Sequence, residues 1–517
     1  MTSGIHHVTG ITAHVQQNMD FYAGFLGLRL VKQTGGFEDA EQLHLFYGDQ
    51  AGSPGTVISF LVWEAAGRGR VGHGQISEIA LAIPPASLGD WLTRAMRAGV
   101  PVEGPMREFG APVLRLRDPD GLVVKLVGID RPAPAPLPDA NAPTRLHSVT
   151  LLSENPDQTT AFLDRFGYAP HSAEGGIQRL ASDRDVVDIR DASGFVPSIP
   201  GAGIVDHVAF RAPDTAALRV MRDGLAGIET SEIHDRKYFT SLYMREPAGT
   251  LLEYATDGPG FAVDEPPERL GETLMLPPHE AAREQDLRVM LPQFARPGEE
   301  RFPIRDLPFI HRFHRPADPD GSTIVLLHGT GGNEADLMPL AHRLNPRATL
   351  LGVRGRSTEE GINRWFRRYH AVSYDQADIR AEAEAFAGFA AEAERAYGLD
   401  AGRMSYLGYS NGANLLGAVL QLHPGTIRRA ILLRGLQVLD DPPRPDLTGT
   451  EALLITGADD PFGRMAPALA KALRDADADL ENPVIDAQHA LTPEDAEIAG
   501  NWLAAREGRG EDAGRGG

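Results

Sequence analysis

The sequence predicts two kinds of fold in one chain: an α+β part made of four βαβββ modules, followed by an α/β part with a doubly wound, mostly parallel sheet. Three observations predict this. A strand-like run recurs four times in the first half, as IHHVTGITAHV from Ile5, GQISEIALAI from Gly74, RLHSVTLLS from Arg145 and IVDHVAFRAP from Ile204. After Ser322 short apolar runs (TIVLLHG, ATLLGVRG, MSYLGYS, RAILLRG, ALLITGADD) alternate with long helical stretches, the pattern of a parallel sheet covered on both faces. Finally, 517 residues exceed the roughly 250–300 at which a single core stops growing.

Each of the four starts leads into a helix-like stretch such as NMDFYAGFLG or DTAALRVMRDGLAG. Matching strands then close the modules: TVISFLVW, GLVVKLVGI and GTLLEYATD, with DVVDIRD a weaker equivalent in the third. The modules span residues 4–258, after which proline and charge dominate to about 320. The expected division is 1–130 for modules one and two, 131–295 for modules three and four with a C-terminal extension, and 296–320 for a linker and a first strand. Residues 321–505 form the α/β domain and 506–517 a disordered tail.

Composition narrows the chemistry. Hydrophobic residues at 42% and charged residues at 23% are those of a globular protein. With no cysteine, disulfides, thiolate metal sites and a cysteine nucleophile are excluded, so any metal sits on nitrogen and oxygen. A net charge of −21 argues against nucleic acid or an anionic membrane as partner. Neither a basic-then-apolar leader nor a membrane-length apolar run is present, which predicts a cytoplasmic protein acting on small molecules without a nucleotide cofactor, and compatible with a homo-oligomer.

Three residues break the apolar pattern of the module strands: His7, His207 and Glu253. Two imidazoles and one carboxylate are the facial set that suits non-haem Fe(II) and leaves positions open for oxygen. A lone strand histidine is usually structural; the joint placement in modules one and four favours a metal site. His147 opens module three and stays a rival to His7 as first ligand.

GIHHVTGIT, NMDFYAGFLGLRLVKQT, DRKYFTSLYMREPAGTLLEYATD and LGETLMLPP resemble the hydroquinone-type ring-cleaving dioxygenases of the vicinal-oxygen-chelate (glyoxalase/bleomycin-resistance/extradiol) superfamily, over residues 4–290. The resemblance implies Fe(II), with Mn(II) as the alternative, held by His7, His207 and Glu253, O2 as co-substrate, and a small aromatic substrate. It also implies substrate-contacting groups at His6, Thr9, Arg236 and Tyr243. Strand alternation puts His6 on the face opposite His7, and Asp206 stands where the family usually has histidine before the second ligand.

In the second part, MSYLGYS runs into NGANLLGAVLQL and so places Gly408-Tyr409-Ser410-Asn411-Gly412 at a strand–turn–helix junction, the setting of a G-x-S-x-G nucleophile elbow. Asp460, with Asp459 as a neighbouring rival, and His489 follow in the Ser, Asp, His order of α/β-hydrolases. Backbone N–H groups of Thr330 and Asn411 are the expected oxyanion hole. HGTGGNE, GYSNGAN and GADDPF make residues 305–505 resemble the phospholipase/carboxylesterase group, which implies a small ester substrate; Trp365 and Phe366 are either acyl-pocket or core residues.

The reading is thus a bifunctional enzyme: a ring-cleaving dioxygenase fused to a serine ester hydrolase, with the fusion pointing to sequential chemistry. The alternatives are a glyoxalase-like metal-dependent isomerase fused to an esterase, since one scaffold hosts many reactions, and an aromatic-compound binding protein with a hydrolase domain.

Overall fold

In the computed structural model, module one is β1 (Ile5–Thr12), α1 (Val15–Met19), β2 (Arg29–Gly35), β3 (Leu43–Gly48) and β4 (Val57–Val62). The structure describes residues 3–225 and 227–514, with side chains to 506. Module two is β5 (Gln75–Ile83), α2 (Leu88–Ala98), β6 (Val102–Glu108), β7 (Ala111–Arg117) and β8 (Val123–Gly128). Module three is β9 (Arg145–Ser153), α3 (Pro156–Leu163), β10 (Ala169–Glu174), β11 (Ile177–Ala181) and β12 (Val186–Asp191). Module four is β13 (Val205–Ala212), α4 (Thr215–Gly224), β14 (His234–Asp235), β15 (Phe239–Arg245) and β16 (Leu251–Pro259). All four therefore have the expected βαβββ order.

The modules do not pair in chain order. Module one joins module four through antiparallel β1 and β13, giving the nine-stranded order β14-β15-β16-β13-β1-β4-β3-β2-β17, where β17 is Leu274–Met275. Module two joins module three through β5 and β9, giving β10-β11-β12-β9-β5-β8-β7-β6. A division at residue 130 consequently follows the chain and not the sheets. Every residue of β1 is buried, which accounts for its failure to alternate: it is central in its sheet and covered on both faces. Local chemistry starts α4, where the Asp214 carboxylate accepts from the Ala217 N–H at 2.8 Å and so caps the first turn.

A second compact unit comprises residues 285–293 and 302–517, against 1–284 and 294–301 for the first. It contains the end of α5 (Glu284–Met290), the antiparallel edge strand β18 (His311–His314), and then β19 (Thr323–Leu327), α6 (Met338–Leu344) and β20 (Thr349–Val353). The short hairpin of β21 (Arg368–His370) and β22 (Ser373–Tyr374) precedes α7 (Gln376–Tyr397), β23 (Met404–Tyr409), α8 (Asn411–Leu422), β24 (Arg429–Leu433) and β25 (Glu451–Gly457). The chain ends with α9 (Ala466–Asp475), β26 (Asp479–Glu481), β27 (Val484–Ile485) and α10 (Pro493–Gly514).

The main sheet order is β18-β20-β19-β23-β24-β25-β26, parallel except at β18. Alternation along β19 sends Val325 and Leu327 into one apolar core and Ile324 and Leu326 into another, so both faces are filled, as a doubly wound α/β-hydrolase fold requires. Helix α10 runs into the tail expected to be disordered, while residues 515–517 lie outside the described part. No helix among the described residues is long and apolar enough to cross a membrane.

Candidate active sites

β1, β13 and β16 lie side by side, and their register puts Thr9 opposite His207 and Ala209 beside Glu253. His7, His207 and Glu253 thereby converge, all buried, with ligand atoms within 4.8 Å of one another. Nε2 of His7 lies 3.1 Å, and Nε2 of His207 3.0 Å, from the same Glu253 oxygen, Oε2. Yet His207 Nε2 and Glu253 Oε2 have no hydrogen-bond partner in proper geometry. Buried polar atoms left unpaired while aimed at one point fit a shared cation, and two nitrogens with one carboxylate oxygen fit Fe(II) chemistry. His147, on β9 in the other sheet, is no part of this cluster.

The surroundings hold each donor in place. Nδ1 of His207 lies 2.7 Å from Asp206, and Ser241 donates its hydroxyl to the other Glu253 oxygen. Burial alone would lower His207, but the hydrogen bond to Asp206 and the Glu253 charge raise it to about 9. Burial would likewise raise Glu253, and the imidazoles of His7 and His207 instead hold it well below the usual carboxylate range. Asp206 thus supplies, as an acceptor, the orienting role on its neighbouring ligand.

A cavity of about 300 Å3 opens beside the cluster, lined among others by Thr9, His44, Phe46, Arg236, Phe239 and Tyr243. Three of the four residues expected to contact substrate thus lie on the cavity wall. His6 is the exception: it does not line the cavity, and its Nδ1 sits 2.9 Å from Nδ1 of His7, brought there by a register irregularity between Ile5 and His7. Burial pushes His6 down to about 3, so it is neutral beside the His7 imidazole. Burial, with the Glu253 charge, pushes the Tyr243 phenol up, which keeps it a donor at neutral pH. Arg236 is anchored by Glu38 at 2.7 Å with its guanidinium carbon 5.4 Å from the Tyr243 ring centre.

Sequence reasoning missed His44. Its Nε2 lies 3.0 Å from Ser59 Oγ, which in turn is 2.9 Å from Thr9 Oγ1, and burial pushes the imidazole down to about 3. The polar residue on the inward face of LHLFYG was the available signal.

In the second unit Ser410 sits at φ +51 between β23 and α8, a backbone conformation that serine holds only where its surroundings enforce it. The flanking glycines allow the sharp turn. A Cβ on Gly412 would lie 2.1 Å from the Leu327 carbonyl, and one on Gly408 2.6 Å from the Ala413 nitrogen. Ser410 Oγ is 2.9 Å from His489 Nε2, and His489 Nδ1 is 2.9 Å from Asp460 Oδ2. Asp460 is buried whereas its rival Asp459 is exposed. Thr330 and Asn411 both line the cavity of about 240 Å3 at Ser410. Of the two aromatic candidates, Phe366 lines it and Trp365 is core, donating its indole N–H to the His328 carbonyl at 2.9 Å.

The histidine loop is clamped by residues the sequence did not reveal. Arg434, wholly buried, donates to the carbonyls of Gln488 at 2.9 Å and Ala490 at 3.2 Å, on either side of His489. The same guanidinium pairs with the buried Asp495 at 2.6 and 2.9 Å.

Residues 4–126 match the Glyoxalase/Bleomycin resistance protein/Dioxygenase superfamily. Over 302 residues the chain is 38% identical to "Putative ring-cleaving dioxygenase MhqO" of Bacillus subtilis, covering 55% of this chain and 96% of that protein. It is 32% identical over 307 residues to "Chlorohydroquinone/hydroquinone 1,2-dioxygenase" of Sphingobium indicum, covering 56% and 95% respectively. A further 189 residues are 34% identical to "Putative hydrolase MhqD" of Bacillus subtilis, covering 35% of this chain and 92% of that protein. The chain belongs to the ring-cleaving dioxygenases of the glyoxalase superfamily in its N-terminal part, and to the MhqD-type hydrolases of α/β-hydrolase fold in its C-terminal part.

Proposed function

We propose that this protein is a bifunctional enzyme, an Fe(II)-dependent dioxygenase that opens the ring of a hydroquinone or related dihydroxylated aromatic, and a serine hydrolase of small carboxylic esters. The observation that carries the first activity is the convergence of His7, His207 and Glu253 on one point at the wall of a cavity. His7, His207 and Glu253 would hold a ferrous ion, which when bound would supply the one-electron chemistry that oxygen needs to react with an electron-rich ring. The chain does the rest. Phe46, Phe239 and Leu61 give the cavity apolar walls for a flat ring. Arg236 favours a ring hydroxyl as its anion, while Tyr243 donates a hydrogen bond to an oxygen beside it. His44, tied to Ser59 and kept neutral by burial, is too weak a base to hold a substrate proton and offers the cavity wall only a hydrogen-bonding imidazole.

The hydrolase follows from its own geometry. His489 takes the Ser410 proton as Oγ attacks the ester carbonyl, Asp460 holds the imidazole tautomer, and the Thr330 and Asn411 N–H groups receive the oxyanion. The proton then passes from His489 to the departing alcohol, and water repeats the cycle on the acyl-serine.

An oxygen electrode with the iron-loaded chain tests the first activity: 1,4-hydroquinone should consume one O2 per ring opened, and His207→Ala should abolish uptake. Isomerisation of a thiol–aldehyde adduct without O2 would replace this reading with the isomerase one. For the second, a fluorophosphonate should label the wild type and leave Ser410→Ala untouched.

A further inference from the structure

The module-two and module-three sheet repeats the arrangement of the metal cavity position by position. Thr150 lies opposite Glu78 as Thr9 lies opposite His207, and Ser148 opposite Ala80 as His7 opposite Ala209. Ala80 is beside Lys125 as Ala209 is beside Glu253, and Arg115 is beside Lys125 as Tyr243 is beside Glu253. The places of the three metal donors His7, His207 and Glu253 are therefore taken by Ser148, Glu78 and Lys125. The space beside them persists: a cavity of about 320 Å3, close to the 300 Å3 of the metal cavity, is lined by Glu78, Arg115, Thr150, Ile177 and Arg190.

What has changed is the charge. Lys125, 1% exposed, puts a fixed ammonium where the other cavity has its carboxylate, and pairs with Glu78 at 3.1 Å and Glu108 at 3.2 Å. Arg115 pairs with the same two carboxylates, to Glu78 at 2.7 Å. A divalent metal would face Lys125 and find both carboxylates already neutralised. Two donors are left over. Arg190 lines the cavity 5.9 Å from the Phe195 ring centre with no ion-pair partner among the described residues, and the Thr150 hydroxyl, 2% exposed, has no hydrogen-bond partner among them. The remaining wall is mostly apolar, with Ile76, Leu152, Ile177 and Ile204, and its other guanidinium, Arg117, is already paired with Glu103 at 3.4 Å.

We propose that this second cavity is a binding site for a small monocarboxylate with a flat or apolar body, held by Arg190 and Thr150, and separate from the metal cavity. One unmatched guanidinium calls for one negative charge, and its planar fork matches a carboxylate. The buried hydroxyl supplies a second polar contact, and the aliphatic wall supplies the surface for the carbon skeleton.

The test uses the iron-loaded full chain and benzoate as probe, by isothermal titration calorimetry. Benzoate should bind at one equivalent per chain. Arg190→Gln, a change at an exposed position, should weaken binding by about tenfold or more, and Thr150→Val should weaken it by a smaller factor. Neither variant should alter kcat for ring cleavage, and His207→Ala should leave benzoate binding intact. The proposal is overturned if the wild type does not bind benzoate, if Arg190→Gln binds it as tightly as wild type, or if His207→Ala removes the binding and so places it at the metal. None of these readings depends on which aromatic the first cavity opens.

Discussion

Asp206 lines the metal cavity, and its carboxylate fixes which nitrogen of His207 is free to face Glu253. An amide there keeps the shape and loses the charge. Asp206→Asn should therefore weaken iron binding by about 10–100-fold, read as iron content after dialysis against a graded chelator. Arg434 offers a comparable case in the hydrolase. Removing it in Arg434→Met strands Asp495, a buried carboxylate, and should cost about 3–5 kcal/mol of stability. Replacing both partners, as Arg434→Met with Asp495→Leu, should restore most of that stability in urea unfolding. It should not restore ester hydrolysis, because the carbonyls of Gln488 and Ala490 still lack the donor that holds the His489 loop. Recovery of full kcat in the double variant would reduce Arg434 to a packing residue.

At the scale of the strand, β1 and β9 each bury an imidazole, His6 and His147, that has no acid as hydrogen-bond partner among the described residues. Burial pushes His6 and His147 down to about 3, and His44 on β3 likewise. A folded histidine that stays neutral binds fewer protons than the unfolded chain between its folded value and its ordinary 6.5. Stability therefore rises with pH across that window and is lost as pH falls from 6.5 toward 3. His147 lies outside the metal cluster, so His147→Leu isolates one such group: the slope of unfolding free energy against pH between about 6 and 4 should fall by roughly one proton. An unchanged slope would mean that His147 titrates normally in the folded protein.

The whole molecule divides in an unexpected place. The chain from 285 to 293 belongs to the second compact unit, although 294–301 returns to the first. Val289 and Met290, 3% and 7% exposed, sit in the same apolar core as Ile324 and Leu326 of β19. Cutting at 302 removes two core side chains worth about 1.5–3 kcal/mol each at most. A fragment of residues 285–517 should thus be more stable in thermal unfolding than one of 302–517, and should label more fully with a fluorophosphonate. Ring-opened product added to the full chain and to Ser410→Ala would show whether the two activities run in sequence: only the former should convert it further.

Much was legible in the linear order because it depends on local chemistry. Four strand starts and the Ser410 elbow each rest on neighbours within a few residues, the order Ser410, Asp460, His489 is read directly along the chain, and His7, His207 and Glu253 stood out as polar residues in largely apolar strands. What the linear order left open were the long-range pairings. Which modules share a sheet, whether His7 or His147 joins the cluster, that His44 reaches Thr9 through Ser59, and that Arg434 grips the His489 loop all depend on strands or loops far apart in the chain. Strand register carries no local signature, since one β-strand pairs as readily with several others until the faces that must be buried select one arrangement. Only the folded sheets decided that one site gathers two imidazoles and a carboxylate while its counterpart in the other sheet sets a lysine between two carboxylates.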